Sequence, residues 1–257
     1  AGIGGGAYSN GTVTISGGTI TKASGGDEGA GIGGGSSGNG TVTITDGDIT
    51  ATGGLWGAGI GGGVRRLGNV SIEGNVTIKN AQGGAGAAGI GGGARAEPDT
   101  EDTRNKISIK STEAGSPTIT ATGGGAYKDD YVSLPVGAAA IGSGSVYETI
   151  GEVNAKSDII IEGKVTINAT GGGNVAIGDN DGEKVFNGLA GGTNIKRTDS
   201  NGKDVTQDGD VVAEPEPEPK PEPEEPEKPA QPTVTPTGAE TAEAPSTGSV
   251  EVERPVT

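Results

Sequence analysis

The segment "GAGIGGG" (Gly29–Gly35) decides the fold, because it returns at regular intervals along the chain. "AGIGGG" begins at Ala1, "GAGIGGG" begins again at Gly57, and "GAAGIGGG" begins at Gly86. The central isoleucines of these copies are 29, 28 and 30 residues apart, and degenerate copies follow in "AAAIGSG" and "NVAIGDN". The repeat isoleucines are Ile3, Ile32, Ile60, Ile90, Ile141 and Ile177. A period of about thirty residues is typical of solenoid proteins, in which each repeat forms one coil.

Two short strands are predicted between successive glycine segments. The first is seen in "NGTVTISGG" (Asn10–Gly18) and "NGTVTITDG" (Asn39–Gly47), and the second in the following "TITKASGG" and "DITATGG". Apolar and polar residues alternate in these stretches, so Val13 and Ile15 are expected to face one side and Thr12 and Thr14 the other. No stretch has a helical period.

Three short strands per repeat have too little apolar surface to close as a separate sheet. Stacking of the repeats as a parallel β-helix of about six coils, with 28–30 residues per coil, buries a continuous column of Ile, Val and Ala. Within the glycine segment we expect Ala30 and Ile32 to point inward. The glycines are expected to face outward or to turn corners with positive φ, which would leave a stripe of bare backbone along one face.

Composition excludes several kinds of chemistry. Glycine accounts for 54 of 257 residues, and Cys, His and Met are absent. Cys/His zinc sites, thiol nucleophiles, Ser-His-Asp triads and disulfides are therefore ruled out. The formal charge of −16 makes nucleic acid an unsuitable partner, because phosphate binding needs clustered Lys and Arg. Acidity without cysteine predicts an extracellular protein, secreted or attached to a bacterial cell wall, and no segment predicts membrane insertion.

The repeats predict a β-helix domain over residues 1–200 and a disordered acidic, Pro-rich linker over 201–257. Three insertions interrupt the repeats, at 94–105, 125–137 and 143–157. Loops of this kind in a solenoid often form the binding face. Because the chain begins inside a repeat, we expect neighbouring domains in a longer parent protein.

The pattern "GTVTI…GGTITATGG…GAGIGGG" resembles the right-handed parallel β-helix repeats of Gram-positive surface proteins, some of them described as carbohydrate-binding. These proteins lie within the wider pectate-lyase-like superfamily. The resemblance covers about residues 1 to 190. It implies a right-handed winding, a location at the cell surface and a polysaccharide or surface glycan as partner.

The candidate ligand-binding residues are the aromatic and acidic side chains of the insertions, since sugar binding uses aromatic platforms and carboxylates. Tyr127, Asp129, Asp130 and Tyr131 lie together in one insertion, Tyr147 lies in the next, and Trp56 lies beside a glycine segment. A polar loop that carries Tyr and Asp for solubility and local packing is the competing explanation. Asp129 and Asp130 are also the candidate ligands if calcium binds, although no cofactor is expected.

We expect a non-catalytic carbohydrate-binding or adhesion module. A purely structural stalk or spacer is the second hypothesis. A polysaccharide lyase or hydrolase is the third, and no catalytic residue is assigned, because the polygalacturonase-like members of the resembling superfamily use a histidine that this chain lacks.

Overall fold

The computed structural model describes residues 1–95, 104–134, 136–146, 156–179, 182–186 and 189–213. Every regular element in these ranges is a β-strand. The strands are β1 (Ile3–Gly4), β2 (Gly11–Ser24), β3 (Ile32–Gly33), β4 (Gly40–Thr52), β5 (Ile60–Gly61), β6 (Gly68–Gln82), β7 (Ile90–Gly91), β8 (Asn105–Lys110), β9 (Thr118–Thr122), β10 (Tyr127–Lys128), β11 (Ser133–Leu134), β12 (Ile141–Gly142), β13 (Ser157–Glu162), β14 (Thr166–Thr170), β15 (Ile177–Asp179), β16 (Gly182–Glu183) and β17 (Asn194–Thr198).

The strands stack coil upon coil in parallel, which confirms the predicted parallel β-helix. One sheet is formed by the glycine segments in the order β1-β3-β5-β7-β12-β15, with β16 added antiparallel at the end. These six parallel strands correspond to the six predicted coils. The second sheet contains the longer strands: β2, β4 and β6 run continuously through a corner, and later coils are split there into β8 and β9, and β13 and β14.

The interior is built from columns of identical or similar side chains, one per coil. Because parallel strands pair in register, each inward residue lies on its counterpart in the next coil. Full burial of an Ile or Val side chain contributes about 1.5–3 kcal/mol, so the columns supply the main stabilisation. The columns are Ile3–Ile32–Ile60–Ile90–Ile141–Ile177, Ile15–Ile44–Ile72–Ile109–Ile161, Ile20–Ile49–Ile78–Ile119–Ile167–Ile195 and Ala23–Ala51–Ala81–Ala121–Ala169.

The structure confirms the predicted inward direction of Ala30 and Ile32 in the glycine segments and corrects the prediction that the glycines face outward. Ala30 and Ile32 are fully buried, as predicted. The glycines around them, however, are buried too and do not form a bare outer stripe. Gly33 has φ +127°, and a Cβ there would lie 2.2 Å from the backbone oxygen of Gly61 in the next coil. Glycine is required because neighbouring backbones touch, which buries the stripe between coils.

In the last coil a buried ionic network takes the place of the alanine column, while Ile195 continues the neighbouring isoleucine column. The Arg197 side chain is fully buried, with Nε 2.7 Å from Asp210 Oδ2 and Nη1 2.8 Å from Glu183 Oε2. Nη1 also donates to the carbonyl oxygen of Lys184 at 2.6 Å. Buried charges are tolerated only when they are paired and hydrogen-bonded. Removing any one of these three residues would therefore leave the charge of its partners buried without compensation. They close the interior at this end.

The chain after β17 folds back over the edge of that strand. Antiparallel bridges join Thr198 to Asp204 and Asn194 to Val211. The described part of the compact fold therefore continues to residue 213, past the predicted boundary at residue 200. The return of the chain covers backbone groups that a terminal strand would otherwise leave unpaired. The remaining part of the predicted linker, from residue 214 onward, lies outside the described residues.

Candidate functional site

The candidate site lies where the turns between the second sheet and the glycine segments stack on one another. Asp27 and Glu28 in one turn are equivalent in sequence to Leu55 and Trp56 in the next, and to Ala85 and Gly86 in the third. Backbone hydrogen bonds hold the turns together, since Trp56 N donates to Asp27 O at 3.3 Å. The coil repeat thus places an acidic pair beside an aromatic residue.

The insertion at 125–137 forms a β-hairpin that packs on the third turn. Its strands β10 and β11 are antiparallel, and Leu134 is fully buried against Ala87 and Ala94. A Cβ at Gly86 would lie 2.6 Å from Leu134 Cδ1. The small residues of the third turn leave the space that Leu134 fills, which fixes the hairpin to the coil.

Asp129 closes the hairpin turn. Its Oδ1 accepts hydrogen bonds from Tyr131 N at 2.8 Å and Val132 N at 2.6 Å, and its Oδ2 accepts from the Tyr127 hydroxyl at 3.0 Å. The Tyr131 N–H, followed by the Val132 N–H and the Tyr127 hydroxyl, holds the pKa of Asp129 below its usual value, and the charge of Arg95 acts in the same direction. The hydrogen bond to Asp129 raises the pKa of Tyr127, and partial desolvation adds to the effect. Asp129 therefore has a structural task in this turn.

Trp56 is held between two side chains from later coils. The guanidinium carbon of Arg95 lies 3.5 Å from the centroid of the Trp56 ring, and the Tyr127 ring meets Trp56 edge to face at 6.1 Å and 82°. Cation–π contacts contribute about 0.5–2 kcal/mol, and aromatic pairs about 0.5–1.5 kcal/mol. The buried Nε1 of Trp56 has no hydrogen-bond partner in the part of the chain that the structure describes. Stacking therefore sets the orientation of the indole.

A concavity of about 590 Å³ opens beside Trp56. Its lining includes Trp56 and Leu55 from one turn, Asp27 and Glu28 from the preceding turn, and Ser36. Glu28 Oε2 accepts a hydrogen bond from the Ser36 hydroxyl at 2.5 Å. An aromatic wall with carboxylate acceptors can bind a polyhydroxylated ring, by contact with its C–H face and by hydrogen bonds from its hydroxyl groups.

A second concavity of about 430 Å³ lies on the outer face of the first strand segments. Its lining combines polar side chains such as Thr43, Ser71 and Lys106 with apolar ones such as Val70 and Ile160. Among the described residues that line it there is no aromatic side chain. It therefore lacks the platform that the first concavity has.

The structure brings together three of the six predicted ligand-binding residues. Trp56, Tyr127 and Asp129 form one connected group. Asp130 is exposed and Tyr131 is 94% exposed, so the Tyr131 ring projects from the hairpin. Tyr147 lies outside the described residues.

Sequence reasoning missed Arg95, Asp27 and Glu28. Alignment of the first two turns could have found the acidic pair, because "GGDEGAG" and "GGLWGAG" occupy equivalent places. Arg95 occupies the position five residues after the repeat isoleucine Ile90. The residue at this position has positive φ in four coils. The residues at this position are Tyr8, Ser37, Arg65 and Arg95.

Metal ligands do not cluster within the described ranges, where no group of three or more acidic side chains converges. Asp129, one of the two candidate calcium ligands, already accepts three hydrogen bonds. For the described part of the chain, no helix has the length and apolar character needed to span a bilayer.

Comparison with known proteins supports the fold. A family model described as "Beta helix repeat" matches residues 13–36 and 42–64, which lie within the first three coils. No curated protein and no solved structure matches the chain. Together with the parallel sheets, the family match defines a β-helix repeat domain. The resemblance to carbohydrate-binding surface proteins of the pectate-lyase-like superfamily stays a prediction.

Proposed function

We propose that this β-helix is a non-catalytic glycan-binding or adhesion module of a secreted or cell-wall-associated bacterial protein. The ligand is held in the concavity beside Trp56. The observation that carries the proposal is the fixed orientation of Trp56 by Arg95 and Tyr127, at the wall of a cavity that also has carboxylate acceptors. A preorganised aromatic surface binds a sugar ring with little loss of side-chain entropy.

The location at the cell surface rests on composition and on the resemblance of the repeats. The chain is acidic and contains no cysteine, and Pro and Glu alternate after residue 213. Such a segment favours an extended, self-repelling spacer, which would hold a module away from a cell wall or from its neighbouring domains.

Catalysis is not part of the proposal. A lyase needs a base such as Lys or Arg beside the bound sugar, and neither residue type belongs to the described lining of the concavity. Hydrolysis needs two carboxyl groups on opposite sides of the scissile bond. Asp27 and Glu28 are sequence neighbours on one turn, and Glu28 is already bonded to Ser36.

The competing function is a structural stalk. It is favoured by the interior columns, whose residues pair from coil to coil on both sides of the register shifts and give length and stiffness without any ligand. A stalk does not need the half-buried aromatic cluster for ligand contact, so the two functions differ in the effect that a change at Trp56 has on glycan binding.

The test is binding of the full chain to plant, mucin and microbial polysaccharides, measured by calorimetry and by the fluorescence of Trp56, the single tryptophan. Trp56→Ala is expected to lower affinity at least tenfold by calorimetry. Thr43→Ala, in the other concavity, is expected to leave it unchanged. Failure to bind any glycan would favour the stalk. Release of shortened products from a polysaccharide would revive the enzyme hypothesis.

A further inference from the structure

The acidic pair beside Trp56 gives the concavity a chemical preference among sugars. From its lining we infer that it selects cationic amino sugars, with Asp27 and Glu28 as the residues that determine specificity. This inference rests on the proposed glycan-binding function. Beyond the proposed function, it specifies the charge of the ligand and assigns a role in binding to Asp27 and Glu28.

The first argument is the unused acceptor capacity of the two carboxylates. A carboxylate has two oxygens and can accept about four hydrogen bonds. Glu28 Oε2 accepts from Ser36, and no donor within the described residues reaches Glu28 Oε1 or the Asp27 carboxylate. Both residues line the concavity. A ligand placed there must supply donors.

The second argument is charge. Hydrogen bonds from an ammonium group to a carboxylate are charge-assisted and about twice as strong as those between neutral groups. Arg95 places its charge over the Trp56 ring and near Asp129 of the hairpin, and it is not among the described residues that line the concavity. The N-terminal amine of Ala1 also lines the concavity, where it donates to Gly5 O at 2.8 Å. Its hydrogen bond goes to Gly5, so within the described residues Glu28 Oε1 and the Asp27 carboxylate keep their acceptor capacity.

The third argument is the combination of surfaces. Trp56 and Leu55 provide an apolar wall for the C–H face of a pyranose ring, while the acidic pair lies on the neighbouring turn, one coil away, and Ser36 lies in the turn after β3. Adjacent coils are about 4.8 Å apart, which lets one ring contact both turns. A neutral sugar makes the same apolar contact without the charge-assisted bond. A uronic acid is repelled by the carboxylates.

The experiment compares three oligosaccharides of equal length: a glucosamine oligomer, its N-acetylated counterpart and a galacturonate oligomer. Affinities for the full chain are measured by calorimetry at pH 6 and low salt, and again at high salt. We expect the glucosamine oligomer to bind at least tenfold more tightly than the other two, and its advantage to shrink as salt screens the charges. Acetylating the Ala1 amine should preserve this order.

Two isosteric variants test whether Asp27 and Glu28 determine the specificity for amino sugars. Asp27→Asn and Glu28→Gln keep the shape of the turn and remove charge, so each should weaken glucosamine binding about tenfold and leave N-acetylglucosamine binding unchanged. Glu113→Gln removes the same charge from an exposed residue that does not line the concavity, and it serves as the control. An equal loss in the control would show general attraction to an acidic protein and overturn the inference.

The outcomes separate the inference from the proposed function. If the N-acetylated or the galacturonate oligomer binds as tightly as glucosamine and Trp56→Ala abolishes that binding, the glycan-binding function stands and the amino-sugar inference fails. If a lysine peptide of equal charge binds as well as the glucosamine oligomer, selection is for ammonium groups in general and the inference also fails. If no glycan binds, both fail.

Discussion

Arg197 in β17 pairs in register with Ala169 in β14, at the position where the preceding coils carry alanine. The interior column therefore ends in a charged side chain that is fully buried. Asp210 reaches it from the returning chain and Glu183 from β16. The fold is closed at this end by three charges from three segments, whereas the other coils are closed by the next layer of isoleucines.

Replacing Arg197 with alanine restores the repeat residue but should destabilise the protein. Asp210 and Glu183 would be left without their counter-charge, which costs about 3–5 kcal/mol when one partner of a buried pair is removed. Urea unfolding followed by circular dichroism measures the change. The neighbouring Lys196→Ala is the control, since Lys196 is exposed and should change stability by less than about 0.5 kcal/mol. An Arg197→Ala effect as small as the control would show that the network is not stabilising.

Gly33→Ala is expected to be far more damaging than Gly6→Ala, although both glycines lie in copies of the same segment. At Gly33, φ is +127° and the new Cβ would lie 2.2 Å from Gly61 O, whereas at Gly6 no atom lies within 4 Å. Backbone strain alone costs about 1–3 kcal/mol, and the clash adds to it. Gly6→Ala should stay within about 1 kcal/mol of the parent. Thermal and urea unfolding of the two variants should rank them in this order, and similar stabilities would contradict the role assigned to coil contact.

Asparagine side chains bond backbone N–H groups of neighbouring coils. Replacing a buried asparagine should lower stability more than replacing an exposed one. Asn105 is 1% exposed and its Oδ1 accepts from Gly68 N at 3.0 Å, while the exposed Asn10 accepts from Asn39 N at 2.8 Å. Asn105→Ala leaves the Gly68 N–H buried without a partner, which costs about 1–3 kcal/mol. At Asn10 water replaces the lost bond, so the loss should be below about 1 kcal/mol. Equal losses in denaturant unfolding would argue against this explanation.

The hairpin should loosen in acid because of Asp129. Its pKa is lowered in the folded state by the N–H groups of Tyr131 and Val132. The carboxylate therefore stabilises the hairpin above the usual carboxyl pKa, and this contribution is lost as pH falls through the lowered pKa. Because Tyr127 contacts Trp56, the fluorescence of Trp56 should report the transition. Asp129→Asn should already show the acid spectrum at neutral pH, and Asp130→Asn should not; a parent spectrum that does not change in acid would refute the assignment.

Much of the fold could be predicted because its signals are local and repeated. The alternation of Val13 and Ile15 with threonines, and the spacing of the repeat isoleucines, require nothing more than counting along the chain. The insertion at 125–137, which contains the hairpin, followed from the same count, while those at 94–105 and 143–157 lie largely outside the described residues and stay predictions. The candidate site was predicted in part: Trp56, Tyr127 and Asp129 were identified by residue type, but the contacts among them were not.

What the sequence by itself determined is the coil: its length, its inward columns and the need for glycine beside each repeat isoleucine. Tertiary structure alone decided that the glycine stripe is buried, because coil spacing brings Gly33 and Gly61 backbones into contact. It also decided that Arg95, Tyr127 and Trp56 meet. These residues come from different coils and an insertion. Their approach depends on the space above Gly86 and on packing between segments distant in sequence, for which no local pattern carries a signal.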